Sequence, residues 1–212
     1  MTTEKLYKLD TNDMSKIINL LMECFKDDPL YCTLIPNKIL REKTLPELFE
    51  CDLEEMFQNC DIYADSEEVN GLIVVDDETE EYNSLQYFTT EAFYALKTDA
   101  YLIKEDRSLK TLWNFIRGKE YLNSHWTNTL LQKRRIHIIY FAVRPSLHGT
   151  GIAHNIITPV LEYADKYSLY TSLETHNPNN VSIYEHYGFN VFKELQSHMD
   201  LKQYCMLRPF KK

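Results

Sequence analysis

The chain has 212 residues, 44% of them hydrophobic and 13% aromatic, enough to bury one sizeable core and too apolar throughout for a disordered tract. Acidic residues outnumber basic ones by 32 to 23, a formal charge of -9, which argues against a nucleic-acid partner because a phosphate backbone would be repelled. The start "MTTEKLYKLD" lacks a secretion signal and no 18 apolar residues run together, so the expected location is cytoplasmic, with no membrane partner.

"LYKL" (Leu6 to Leu9) reads as a short strand, and "TND" supplies N-cap side chains for a helix with Met14, Ile17, Ile18, Leu21, Cys24 and Phe25 on one face, ending near Pro29. A second amphipathic helix is expected from about Pro46 to Phe57, with the proline at its first position. "DIYAD" and "GLIVVDD" read as two strands, and the acidic "DDETEEYNS" beyond them as a solvated loop. From Leu85 to Arg135 the pattern is helical in two pieces; Leu109, Leu112, Trp113 and Ile116 share one side of the second, which makes Trp113 a core residue. "RIHIIYFAV" (Arg135 to Val143) is too continuously apolar for one-sided exposure and reads as a central strand. A helix with Ile152, Ile156, Ile157, Val160, Leu161 and Ala164 on one face follows, carrying Pro159 as a kink. "YTSLET" is the next strand, then a short helix with Asn177 as cap, Pro178 first and Gly188 just past the end. Strands at about Phe189 to Leu195 and Lys202 to Leu207 close the chain.

The five cysteines form no C-x-x-C pair and are odd in number, which suits a reducing compartment, and the scattered histidines give no metal spacing, so no metal is expected. Only five glycines are present, yet Gly149 and Gly151 stand one residue apart between the central strand and its helix. A strand, tight turn and helix in that order aim free backbone N–H groups into the crevice beyond the strand, where the helix dipole favours an anion. The alternative is a tight turn that binds nothing. A dinucleotide fingerprint would need a small residue where His154 stands, and no Gly-Lys-Ser/Thr follows for a P-loop.

"HGTGIA", from His148 through Gly149, Thr150, Gly151 and Ile152 to Ala153, resembles the Q/R-x-x-G-x-G/A pyrophosphate loop of the GNAT superfamily of acetyl-CoA-dependent N-acetyltransferases, with His148 where that family prefers Gln or Arg. Downstream, Asn177, Tyr184, Gly188 and Phe189 fit the family's N-x-x-x-x-x-x-Y-x-x-x-G-F signature in register. The firm likeness covers about Ile136 to Leu207. It implies an α/β fold, a GNAT-like mixed central sheet flanked by helices, as one domain over 1–212 with a helical insertion at about 85–135 that shapes the acceptor pocket, similar to members resembling puromycin acetyltransferase.

The resemblance implies that acetyl-CoA is the cosubstrate, held by residues 148–153, by the backbone edge of Phe141, Ala142 and Val143, and by Asn177 and Asn180. A bulge in the family's central strand frees one N–H for the developing oxyanion, with Ala142 or its neighbour as candidate. Tyr184 is placed to protonate the thiolate, though a core tyrosine is the alternative. An alkyl amine is of order one part in a thousand neutral at pH 7, a cost of roughly 4 kcal/mol that a base would relieve. Glu174, in the strand beside the donor, is either that base or a structural ion-pair partner; His137 is the runner-up, with His176 and His186 behind it. "KRR" at Lys133 to Arg135 could meet the 3′-phosphate or be a solvated flank. The expected reaction is transfer of acetyl to a primary amine of a small molecule or peptide by direct attack in a ternary complex. The alternatives are a non-catalytic acyl-CoA-binding or sensor protein of the same fold, left open by His148, and a nucleotide-binding regulator. A homodimer is compatible with the sequence.

Overall fold

The computed structural model describes residues 1, 5–79, 84–130, 134–196 and 199–211. Its strands are β1 (Tyr7–Lys8), β2 (Asp61–Ala64), β3 (Gly71–Asp77), β4 (Arg135–Val143), β5 (Tyr170–Thr175), β6 (Asn190–Gln196) and β7 (Lys202–Arg208), and its helices α1 (Met14–Phe25), α2 (Pro29–Leu34), α3 (Lys38–Asn59), α4 (Ser84–Glu105), α5 (Lys110–Arg117), α6 (Ile152–Lys166) and α7 (Pro178–His186). One sheet takes the strands in the order β1-β2-β3-β4-β5-β7-β6. Every neighbouring pair is antiparallel except β4 and β5, so the sheet is mixed, as expected.

Both sheet faces are covered. On one, Ile156, Ile157, Val160, Leu161 and Ala164 of α6 pack on Ile73, Val75, Ile136, Ile138 and Leu173. On the other, Ile17, Leu20 and Leu21 of α1 and Leu45, Leu48, Phe49 and Leu53 of α3 pack on Leu72, Val74 and Ala142. Short range pairing fixes the ends: Asp10 and Asp13 form a capping box ahead of α1.

Three expectations are corrected. α3 begins eight residues before Pro46, at Lys38, because the Asn37 side chain caps it by accepting the Leu40 N–H at 3.0 Å. Burying Leu45, Leu48, Phe49 and Leu53, at roughly 1.5–3 kcal/mol each, outweighs the ~3 kcal/mol cost of a proline inside the helix. α1 ends at Phe25, and Pro29 opens a helix of its own, capped by Asp28. In α5 Leu112 and Phe115 pack on the core, whereas Trp113 is 59% exposed and Leu109 and Ile116 are exposed too, because the side that meets the neighbouring elements is offset from the one the apolar spacing suggested.

The charged flanks differ as well. Asp77 is buried and accepts from the Thr79 hydroxyl at 2.6 Å and the Tyr163 hydroxyl at 3.2 Å, so the acidic run is not solvated at its start; residues 80–83 of that run lie outside the described residues. Of "KRR", Lys133 lies outside the described residues, and Arg135 is buried, paired with Glu78 at 2.5 Å and donating to the Thr127 hydroxyl at 2.8 Å.

Candidate active site

The site is built where two parallel strands part. β4 pairs with β5 only from Arg135 to Ile138, against Tyr170 to Leu173. Beyond that point Glu174 and Thr175 stay paired with Cys205 and Tyr204 of β7, while Tyr140 to Val143 stay paired with β3, and a cleft opens between them. Val74 lies opposite Tyr140 and Val75 opposite Ile138, so Ile139 is an extra, bulged residue at the point of parting. The Arg144 N–H donates to the Asn70 carbonyl at 2.8 Å. Donors to one neighbour fall on alternate residues of an antiparallel ladder, so the amides of Ala142 and Tyr140 also face β3, while those of Phe141 and Val143 face the cleft. Of the two candidates the sequence left for an oxyanion donor, the neighbour Phe141 is the one so aimed. The Val143 carbonyl is occupied, accepting from His148 Nε2 at 2.9 Å and from the Cys24 thiol at 3.4 Å.

The loop at the end of β4 leads into α6 through Gly149 at φ 81° and Gly151 at φ 92°, a region open to glycine and costly to other residues. A side chain on either would meet nothing within 4 Å, so backbone conformation alone explains the glycines, and the space over the loop is open. Thr150 closes the turn on Leu147, by its N–H at 3.3 Å and its hydroxyl at 2.7 Å. The first bond of α6 runs from the Asn155 N–H to the Gly151 carbonyl at 3.0 Å, and Gly151 offers no capping side chain. The amides of Gly151, Ile152, Ala153 and His154 therefore have no acceptor among the described residues. Four bare donors at a positive helix end are the donor set a diphosphate requires.

α7 stands across the cleft. Asn177 spends its side-chain oxygen on its own helix, accepting the Asn179 N–H at 3.0 Å, and the Asn180 side-chain amide donates to the Thr175 hydroxyl at 3.3 Å. Tyr184 is buried, its ring centre 6.3 Å from that of Phe141 and 5.9 Å from that of Phe189. Its hydroxyl has no hydrogen-bond partner among the described residues. Burial, joined by the nearby Asp28 carboxylate, raises its pKa well above the ordinary phenol value, so it carries a proton at every physiological pH.

The opposite face of the sheet holds a different cluster. Glu174 Oε1 accepts from the Trp126 indole, and Glu174 Oε2 lies 3.1 Å from His137 Nε2. His137 also meets the Ser124 hydroxyl at 2.9 Å and the Ser172 hydroxyl at 2.8 Å. Burial alone would raise the Glu174 pKa, but the His137 charge and hydrogen bond outweigh it and hold the carboxyl below its usual range. Burial alone would lower the His137 pKa, and Glu174 outweighs it in turn. Both carboxylate oxygens are thus engaged. His176 lies beyond, against Tyr121, with its pKa pushed down to about 4 by burial. His186, at the end of α7, packs its ring on Tyr187, away from this cluster.

The last turn of α5 and the segment after it roof this face. Asn114 ties α5 to α2 by donating to the Leu34 carbonyl at 3.0 Å, and the Tyr121 hydroxyl donates to the Leu201 carbonyl at 3.2 Å. Sequence reasoning missed the partners of Tyr140 here: its hydroxyl donates to Asp52 Oδ2 at 2.9 Å and lies 3.2 Å from the Tyr31 hydroxyl. Asp52 reads as one more polar residue on a helix, since nothing in sequence shows which strand side chain reaches it. The one available signal is its place between Cys51 and Leu53, both buried.

Residues 118–206 match the model of a family described as an acetyltransferase (GNAT) domain. This part of the chain is similar to a GNAT acetyltransferase domain. The match starts at the glycine that ends α5 and runs from β4 into β7, so the cleft, the glycine loop and α7 all lie within it. The fold extends to the rest of the chain. A Corynebacterium glutamicum structure described as histone acetyltransferase HPA2 and related acetyltransferase is similar over 98% of this chain and 96% of that one, with 19% identity and a TM-score of 0.65. PaiA N-acetyltransferase of Thermoplasma acidophilum, solved in complex with coenzyme A, is similar over 99% and 100%, with 12% identity and a TM-score of 0.55. Arylalkylamine N-acetyltransferase 2 of Aedes aegypti gives 97% and 98%, 11% and 0.55. No curated protein sequence matches the chain. GNAT proteins transfer acetyl from acetyl-CoA to amine acceptors. Among the described residues no helix is long and apolar enough to cross a membrane.

Proposed function

We propose that the protein is an N-acetyltransferase that moves acetyl from acetyl-CoA to a primary amine of a small molecule or peptide, by direct attack in a ternary complex. The observation that carries this reading is the row of uncapped amides from Gly151 to His154 at the mouth of the β4/β5 cleft. Bound there, acetyl-CoA supplies an activated thioester. The amides hold its diphosphate, and the cleft-facing amides of Phe141 and Val143 with the Phe141 carbonyl pair with the amide-rich pantetheine arm as an added strand would. The Phe141 N–H is aimed to stabilise negative charge developing on the thioester oxygen.

Tyr184 returns a proton to the sulfur. Its protonated hydroxyl, unclaimed by any described neighbour and set against Phe141, is suited to that task. Glu174, engaged by Trp126 and His137, serves to lock β5 to the roof segment and leaves proton removal from the amine to another group. His148, bonded to Val143, fixes the loop to the strand end while the backbone does the anion binding.

The test is calorimetry with coenzyme A followed by a panel of amines with acetyl-CoA, reading free thiol. Saturable coenzyme A binding and amine-dependent thiol release are expected. A chain that ignores coenzyme A at millimolar levels would falsify the reading.

A further inference from the structure

Asp52 is a carboxylate without a cation. It lies half-buried on α3, and among the described residues no lysine, arginine or histidine pairs with it; it accepts from the Tyr140 hydroxyl at 2.9 Å. Tyr140 continues the chain to the Tyr31 hydroxyl at 3.2 Å. The three polar ends are set among aromatic rings, Phe25 at 5.6 Å from Tyr140, and Phe49 at 6.2 Å from Tyr140 and 5.5 Å from Tyr31. Such a half-buried, hydrogen-bonded acid with no counter-ion is a poor device for stability, because its desolvation is left without an opposite charge to offset it. It is a common device for proton transfer.

Its place along β4 gives it a task. Tyr140 is the first residue past the bulged Ile139 and the residue before Phe141, whose N–H faces the cleft. Tyr140 packs with the α1 and α3 side of the sheet, whereas Phe141 and Tyr184 pack with the α6 side. The same short run of β4 therefore separates an acid on one face from a carboxylate relay on the other.

We propose that Asp52, acting through the Tyr140 hydroxyl, takes the proton from the ammonium form of the acceptor. This inference rests on the acetyl-transfer reading above and names the base of that same site. In the step, an N–H bond of the ammonium breaks and its electron pair stays on nitrogen. The proton joins Tyr140 Oη as the phenol's own proton passes to Asp52 Oδ2, leaving a neutral amine, an intact phenol and a carboxylic acid. After acetyl transfer Asp52 releases that proton to water on its exposed side, while Tyr184 has supplied the one taken by the sulfur.

The surroundings suit the role. Burial pushes the Asp52 carboxyl up to about 7, the Tyr140 bond opposes this and Glu55 adds to it. The groups facing the relay are Cys51 and Glu55 on α3, Tyr31 on α2 and its cap Asp28, and Lys97 on α4, whose charge is taken by Glu54. A carboxylate near 7 accepts a proton from an amine near 10.4 far more readily than one near 4 does.

The experiment measures kcat/KM against pH for the best acceptor among 2-phenylethylamine, putrescine and an alanyl peptide, in the parent, Asp52→Asn and Tyr140→Phe. The parent is expected to rise to a plateau with an apparent pKa near 7. Both variants are expected to lose roughly 100-fold at neutral pH and to keep climbing toward the amine's own pKa, with coenzyme A affinity by calorimetry unchanged. Asp52→Asn removes an uncompensated charge and Tyr140→Phe keeps the ring, so at least one folded variant is expected, checked by its melting temperature. A parent-like pH profile in either folded variant overturns the assignment of Asp52 and leaves acetyl transfer standing. Coenzyme A binding with no turnover of any amine overturns both.

Discussion

Glu174→Gln is the substitution that separates a structural ion pair from a catalytic base. The Glu174 and His137 side chains are 13% and 7% exposed and lie 3.1 Å apart, so their attraction is little screened by water. Removing one partner of a buried pair costs about 3–5 kcal/mol. Glutamine keeps an oxygen for the Trp126 indole, and Ser124 and Ser172 still bond the imidazole, which reduces the expected loss to about 2–3 kcal/mol. At roughly 2–4 °C per kcal/mol for a chain of this length, the melting temperature falls by about 4–12 °C. The loss depends on pH in a fixed direction. Folding raises the His137 pKa, so its share of the stability is complete below the unfolded value of 6.5 and fades as pH rises through the folded one. Folding lowers the Glu174 pKa, so its share is present above the unfolded value of 4.5 and fades as pH falls through the folded one. Scanning calorimetry of parent and variant should therefore show the largest gap between these two values and a narrowing gap at alkaline pH. A gap of equal size at about pH 5.5 and pH 9, or none, would refute the ionic pair, and abolished turnover in a fully stable variant would restore Glu174 as the base.

Tyr184→Phe should lower amine-dependent thiol release by about 100-fold or more while leaving coenzyme A affinity within a factor of two or so, read by steady-state kinetics and calorimetry. Gly151→Ala should cost about 1–2 kcal/mol of stability from its positive φ, with no steric clash, and should weaken coenzyme A binding roughly tenfold or more as the amides turn away. Gly71→Ala is a control for packing: its new carbon would lie 2.6 Å from Ile156 and 2.7 Å from Ile152, so about 1–3 kcal/mol is lost, seen as a lower denaturant midpoint.

Much of the site was legible because it is local. Three strands, β3, β4 and β5, and the span of α7 follow from continuous apolar runs bounded by proline, asparagine and glycine, and the glycine loop is a contiguous string. What sequence withheld is long-range. Trp113 and its neighbours repeat with a helical period that states which residues share a side of α5, and the period is silent on whether anything packs there. Pro46 carried the signal of a helix start, which the Asn37 cap overrode. Glu174 meets Trp126, 48 residues away, and Asp52 meets Tyr140, 88 residues away, contacts that no local pattern shows.

The single surplus residue at Ile139 also decides handedness of function. Up to Ile138, even-numbered side chains of β4 point at α6; after the bulge, Tyr140 and Ala142 point at α1 and α3 instead, and Phe141 takes over the α6 side. A regular ladder that paired Ile139 in turn, without the bulge, would exchange the two sides beyond it, turning the Tyr140 phenol toward α6 and the Phe141 ring into the relay's place. One inserted residue thus sets which side chains of the far half of the strand each chamber receives.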